Sequence, residues 1–415
     1  MPPKRLKVRL SADRLEAWID VAPGEECAED AVANALANAG VVHGIDEQAV
    51  QSLTEALLDP EFEQSKRPVA RGHPPIAGED GVLTLRFELG IRPGRAREDG
   101  SLDFFDRCLL QPVDAGENIA DYQPPTAGEP GLGVDGRPRK ARDGRDRLPR
   151  FGAGVRMHDD HSVRAEVAGV IHHLKGKLLD VVSNHEHKGE VDLRSGHLET
   201  SGSIRISGAI HTRFTVHAGA SVDLRREVHC GSVFAGGDVS VGGGIVGGEG
   251  ARVAAHGDVS ARFLQAAIVD CGGTLRVAQD IIGSKLRAER VEVAGRLIGG
   301  RTFVECSVTA GEIGTPRGQA TRIMAAMLRR EDVSLDAGGS AQERAPRVVP
   351  AGDSAPSEAL HAAFVEATLV HPGVRVALGT RVHVVKSTLR DVRFVYDPEQ
   401  DAVAVVPCAS LRVAS

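Results

Sequence analysis

Five segments in the middle of the chain are variations on one pattern, and that repetition limits the fold more than any other feature. They are Val216–Leu224, Val233–Val241, Val253–Ala261, Val269–Val277 and Leu286–Val293. Their first residues lie 17, 20, 16 and 17 positions apart (216, 233, 253, 269, 286). The first four share an apolar residue, two variable positions, a Gly-containing step and a second alternating apolar run; the fifth keeps the apolar alternation. A unit this short cannot bury an apolar face alone and becomes stable only by stacking on its neighbours. The repeats therefore predict a mainly β fold built around a parallel β-helix, a β-solenoid.

Composition agrees. Aromatic residues make up 3% of the chain, with one Trp and two Tyr, whereas apolar content as a whole is 41%. Compact globular cores lean on aromatic bulk; a narrow solenoid core is filled by Val, Ile, Leu and Ala. The 48 glycines suit a chain that turns a corner every few residues, and the expectation is that they supply φ > 0 there. Net charge is −7 with both signs mixed, so no basic tract implies a nucleic-acid partner. The most basic stretch, Arg137 to Arg150, is interrupted by Asp143 and Asp146. No CxxC occurs among the six cysteines (27, 108, 230, 271, 306, 408). Cys230, Cys271 and Cys306 fall where other coils carry small apolar residues and read as reduced core thiols. The N-terminus lacks an apolar run after its basic residues, and no segment approaches membrane-spanning length; a cytoplasmic protein without membrane insertion is expected.

Along the chain, Leu6–Leu10 and Leu15–Val21 alternate about the turn Ser11–Arg14, a hairpin signal. Ala28 to Ala39 places Ala28, Val32 and Leu36 on one helical face, ending at Gly40. Asp46 caps a second helix running to Leu58. Gly81–Phe87 reads as a strand. The boundaries that follow are an α+β domain over 1–111, a Pro/Gly-rich connector over 112–154, the solenoid over 155–325, a loose linker over 326–366 and C-terminal strands over 367–415. Between Ile323 and Val374 only two short stretches, Met324–Glu331 and Pro356–Ala367, could be helical. The last strands, Val392–Tyr396 and Ala402–Val406, form a hairpin that covers an otherwise open sheet edge. Trp18 is expected in the core of the first domain, the other reading being an exposed anchor.

Several stretches, far apart but in order, resemble the flagellar assembly protein A (FapA) family. They include Gly78-Glu-Asp-Gly81, the run from Gln123 to Gly131 closed by Asp143-Gly144, Gly189–Asp192 with Ser195-Gly196, and Gly237-Asp238-Val239. They continue through the Gly243–Gly247 corner, Gly257–Leu264 with its Arg262-Phe263 pair, Leu297–Gly300, and Glu312–Gly314 ahead of Thr321. The matching order covers about residues 5–325 and resumes over about 367–407. The resemblance implies an N-terminal α+β domain, a right-handed parallel β-helix and a long coiled coil before the last strands. The chain departs from the last feature, since nothing between Ile323 and Val374 sustains heptads.

Candidate chemical sites are few. The pairs Gly237-Asp238 and Gly257-Asp258 suggest calcium turns, but that motif recurs every nine residues and these stand 20 apart. With Gly219, Gly272 and Gly300, they read instead as coil corners where Asp accepts a backbone N–H. His172, His173, His185, His187 and His197 cluster; His185 and His187 share a strand face as metal ligands would, yet apart from Glu186 or Glu190 no Cys or paired carboxylate stands at ligand spacing beside them. Asp258, Arg262 and Arg276 fall on adjacent coils and could line a carbohydrate-acting surface, although they also suit plain cross-strand pairing. No hydrolase, zinc-protease or P-loop signature is present, and Gly242–Gly248 does not open a helix, so no cofactor is implied. A strict hexapeptide period is absent, which excludes the left-handed acyltransferase helix.

These observations favour a non-enzymatic scaffold: an N-terminal domain docking a protein partner and a solenoid acting as a rigid platform. The alternatives are a self-assembling, bactofilin-like β-helix forming homo-oligomers, and a carbohydrate-acting β-helix enzyme, which would need a carboxylate-lined groove.

Overall fold

The computed structural model describes residues 4–23, 31–56, 68–88, 94–96, 102–103, 105–174, 177–248, 251–325 and 363–408. By contacts the chain divides into two units. One comprises residues 1–85, 120–149 and 159–162; the other comprises 86–119, 150–158 and 163–415.

In the first unit the strands Lys4–Leu10 and Glu16–Pro23 form the expected antiparallel hairpin, with Ala70–Arg71 added beyond the second strand. The turn is tied by Ser11, whose Oγ accepts the N–H groups of Leu15 and Glu16 at 3.0 and 2.9 Å. Arg14 sits there at φ +57°. The first helix spans Ala31–Asn38, with Val32 and Leu36 buried, and stops where Gly40 turns left-handed at φ +75°. Positions 28–30 lie outside the described residues. Asp46 caps the second helix, Glu47–Ala56, accepting the N–H groups of Gln48 and Ala49 at 3.1 Å each. Leu57 and Leu58, expected in that helix, are likewise outside the described residues.

Period-2 alternation sends Ala17 and Ile19 into this unit's core, where they meet Val32, Leu36, Leu53 and Val134. Trp18 therefore points to the opposite face. It is half-buried under the Arg9 guanidinium, 5.1 Å from the ring centre, rather than in the core as expected. The Pro/Gly-rich stretch after residue 112 is more ordered than its composition suggests. Val82–Leu85 pairs antiparallel with Ala120–Gln123. Val134 is fully buried, and backbone bonds tie His73 to Leu132, Ile76 to Glu129 and Gly78 to Arg142.

The second unit contains a parallel β-solenoid of about eight turns over residues 184–325. Each coil supplies three short strands. Ser232–Ala235, Val239–Val241 and Ile245–Val246, for example, pair in parallel with Val253–Ala255, Val259–Ala261 and Leu264–Gln265 of the next coil. The register matches the sequence repeat: Val216 pairs with Val233, Val233 with Val253, Val253 with Val269 and Val269 with Leu286. Parallel ladders of fully buried aliphatic side chains result. One runs from Ile204 through Val222, Val239, Val259, Leu275, Val291 and Val308 to Val365. Each such side chain contributes about 1.5–3 kcal/mol relative to exposure. Coil length varies only at corners. The 20-residue step adds residues after Val246, where the chain takes longer to reach Val253.

Both ends of the stack are covered. At the start, Phe105, Leu109 and Leu110 pack on the core, the Phe105 ring lying 5.9 Å from His197 and 5.3 Å from Phe214. The N–H of His197 bonds to the Phe105 carbonyl at 2.7 Å. At the far end the polarity reverses. Phe364–Val370 still lies parallel on residues 307–313, but Leu389–Asp397 and Ala402–Pro407 then run antiparallel, closing over the fully buried Phe394. Arg381–Val384 likewise turns antiparallel against Arg375–Leu378. The expected helical stretches are corrected in part: Met324–Ala325 ends a strand and Phe364–Ala367 begins one, because both continue ladders of the solenoid. Their remaining positions lie outside the described residues.

Candidate functional site

The Gly-Asp corners join the first and second strands of each coil. Here the structure corrects the reason for glycine. Gly219, Gly237, Gly257 and Gly272 do not adopt positive φ. At three of them glycine is needed because successive corners stack too closely for a Cβ. One on Gly219 would overlap the Ser201 carbonyl, one on Gly257 would overlap Asp238 Oδ1, and one on Gly237 would sit 2.8 Å from Ser221 Oγ. The stacking makes a side-chain ladder. Ser203 Oγ accepts the N–H of Ser221 at 3.3 Å, and Ser221 Oγ accepts that of Asp238 at 3.3 Å. Asp238 Oδ1 accepts that of Asp258, and Asp258 Oδ1 that of Thr274, both at 2.8 Å. One carboxylate oxygen of Asp238 and one of Asp258 are thus engaged with the protein backbone, one coil apart.

Left-handed backbone occurs instead at the corner after the third strand, at Cys230 (φ +52°), Ala266 (+49°), Gly283 (+62°) and Gly299 (+68°), and at Gly300 (+75°) and Gly314 (+85°). Cys230 is half-buried there, its thiol 3.4 Å from the Gly247 carbonyl, and Cys306 is half-buried at a corner beside Glu289. Of the three thiols expected in the core only Cys271 is buried; desolvation pushes its pKa up to about 12.

His185 and His187 do share a strand face, and that face points inward. They pair with Ile204 and Ile206 of the next coil, so they begin two core ladders. His185 Nδ1 lies 3.3 Å from His172 Nε2. Burial, reinforced by His172 and His187, lowers the His185 pKa to about 4. His187 Nε2 lies 3.2 Å from the Glu190 carbonyl oxygen. His197 is packed between Phe105 and Phe214, and burial lowers its pKa. Among the described residues no group of three or more His, Cys, Asp or Glu side chains is placed to hold a metal ion.

Of the triplet Asp258, Arg262 and Arg276, two meet. Arg276 Nη1 bonds Asp258 Oδ2 at 2.7 Å, and Arg276 also approaches Glu292 at 3.4 Å. The Thr274 N–H and then Arg276 hold the Asp258 carboxyl below its ordinary range, so it is ionised at neutral pH. Asp280 is held low in the same way by Arg296. A general acid needs the opposite shift. Arg262 is exposed, and its neighbour Phe263 lays its ring where a Cβ of Gly244 would be. Phe263 is thus a packing step between coils.

Sequence reasoning gave no weight to the exposed apolar side chains of the first unit. Val42, Ile45, Ile76 and Val82 are 69, 42, 62 and 52% exposed. Their signal was present but faint, because Val42, Ile45 and Ile76 stand in short irregular segments and Val82 opens a four-residue strand.

Stacked three-strand coils with covered ends, preceded by strands and small helices, define a parallel β-solenoid protein. Comparison with known proteins makes the assignment narrower. Residues 6–176 match the Flagellar Assembly Protein A N-terminal region, and residues 183–337 match the Flagellar Assembly Protein A beta solenoid domain. The chain belongs to the flagellar assembly protein A family. Searches of curated proteins and of solved structures return no match.

Proposed function

We propose that the protein is a non-enzymatic, cytoplasmic scaffold in flagellar assembly, whose N-terminal unit docks a protein partner while the solenoid serves as a rigid platform. The observation that carries this reading is family membership over both regions, residues 6–176 and 183–337. Three features support it. The polar groups on the solenoid's second face are paired with one another, which suits a stiff support better than a reactive surface. The first unit exposes apolar side chains at Val42 and Ile76, which suits a docking surface. The antiparallel strands at the far end interrupt parallel stacking, which disfavours end-to-end growth.

The test is affinity capture with the full chain and with a Val42→Glu/Ile76→Glu variant. A flagellar assembly component held by the first and lost from the second, with both chains equally folded, is the expected result. Equal capture by both overturns N-terminal docking. Mass that grows with concentration in light scattering turns the reading towards a self-assembling structural β-helix.

A further inference from the structure

Four cations stack in register on the first face of the solenoid. Lys285 pairs with Arg301, Arg301 with Arg322 and Arg322 with Arg375, so the same outward position carries a positive charge on four successive coils. All four side chains are exposed, and among the described residues none of them makes an ion pair or side-chain hydrogen bond. Acidic side chains of neighbouring coils are engaged elsewhere: Asp270 with Arg252 at 2.6 Å, Glu289 with Arg290 at 2.9 Å, and Glu312 with His371 at 2.5 Å. Glu305 stands two residues beyond Phe303, at the following corner.

On the second face, charged neighbours in the outward ladder are of opposite sign, Glu186 against Arg205 against Asp223, and Arg276 against Glu292, with Ser240 and Ser260 between the two groups. Like charges directly opposite one another on neighbouring strands destabilise a sheet. A column of four with no ion pair among the described residues therefore opposes folding, and opposite charge laid over it would relieve that cost. Two residues along the same strands, the next outward column begins with a further cation, Arg287, paired to Phe303, and turns apolar from there, with Phe303 paired to Met324. The antiparallel strand that follows extends this surface with Val382 and Val384, 60 and 43% exposed.

We infer that this face docks an acidic amphipathic α-helix of a protein partner. Spacing selects the helix. Strands in a sheet lie about 4.8 Å apart, so the four charges span about 14 Å. Acidic residues recurring once per helical turn rise about 5.4 Å each, or about 16 Å over three turns, within reach of flexible Arg and Lys side chains. Same-side residues of an extended strand rise about 6.7 Å each and would overrun the column by about 6 Å. An apolar stripe beside the acidic one would lie on Phe303, Met324 and the two valines. This surface is separate from the N-terminal docking surface proposed above, and either can fail alone.

The experiment uses the full chain and a fluorescent 16-residue helix-forming peptide. Its Glu residues stand at i, i+4, i+7 and i+11, with Leu on the adjacent stripe. The comparators are an isomer with the same residues scattered around the helix, a single-stranded RNA, and vesicles containing anionic phospholipid. The expected outcome is binding of the striped peptide at least tenfold tighter than its isomer, weakening with salt. Arg301→Glu/Arg322→Glu should lose at least tenfold, and Arg301→Gln/Arg322→Gln should lose less. Because these changes relieve repulsion, neither variant should melt lower than the parent. Equal binding of the isomer, undiminished binding by the Glu variant, or tighter binding of RNA or vesicles would overturn the proposal.

Discussion

Gly257→Ala separates two explanations of why glycine recurs at the solenoid corners. Gly257 does not adopt positive φ, so its backbone accepts alanine. On conformational grounds alone, the substitution would stabilise by about 0.4–1 kcal/mol through the unfolded chain. The new Cβ, however, would overlap Asp238 Oδ1, the atom that accepts the Asp258 N–H at 2.8 Å. Overpacking costs about 1–3 kcal/mol and loss of the hydrogen bond about 1 kcal/mol, so a net loss of about 2–3 kcal/mol is expected. In an Asp238→Ala background the obstructing oxygen is gone. The nearest remaining atom is the Gly237 carbonyl carbon at 3.2 Å, a tight but yielding contact. There Gly257→Ala should be neutral or stabilising by up to about 0.5 kcal/mol, which makes the coupling between the two positions about 2–3 kcal/mol. Denaturant unfolding of the four proteins of the cycle, followed by circular dichroism, measures it. Equal costs in the two backgrounds would mean that glycine is kept for backbone freedom, and the stacking explanation would fail.

Other outcomes follow from the same geometry. Ala266 is held at φ +49°, so Ala266→Gly should remove about 1–2 kcal/mol of strain against about 0.5–1 kcal/mol of added chain entropy. A slightly higher melting temperature is expected; a lower one refutes the strain. His185, with a native pKa of about 4 against 6.5 when free, binds its proton more readily in the unfolded chain. Its neutral form thus supports the fold fully above about pH 6.5, and this support is lost as pH falls towards 4. Allowing for its half exposure, the loss is on the order of 1–2 kcal/mol. His185→Ile, which extends the Ile204 ladder, should flatten the stability–pH curve between those limits, and an unchanged slope would assign the loss elsewhere. The buried Cys271 thiol, with its pKa near 12, should resist alkylation at pH 8 until the chain unfolds; rapid labelling of the native protein would contradict its place in the core. Phe394→Ala should cost about 3–5 kcal/mol and expose the last ladder. Light scattering should then show more association than the parent does, and a variant that is as stable and no more associated than the parent would deny Phe394 its capping role.

The repeat could be read from sequence because equivalent positions of a parallel stack obey the same constraint. Val216, Val233, Val253, Val269 and Leu286 fill one ladder, and each must be a branched or long aliphatic residue. What the corners require was less visible. A glycine chosen for lack of space looks identical to one chosen for φ, and only the stacked Asp238 side chain distinguishes them. The segment around Asn118–Gln123 was hidden by its neighbours' Pro and Gly content, although the buried Ile119, Ala120 and Tyr122 were there to be weighed. Phe364–Ala367 looked helical because its local composition permits a helix, yet its partners at 307–310 are far away in sequence. The same distance hid the cationic column. Lys285, Arg301, Arg322 and Arg375 become neighbours only through the pairing of coils, and no sequence period connects them. The histidines were half legible: the shared face of His185 and His187 follows from alternation, whereas its inward direction depends on the coil laid over it.

The proposed role in flagellar assembly is tested most directly in cells that lack this protein. The full chain should restore assembled flagella, counted by electron microscopy, while the Val42→Glu/Ile76→Glu variant present at the same level should not. Normal flagella without the protein, or equal rescue by the variant, would contradict a scaffold that works through its N-terminal unit.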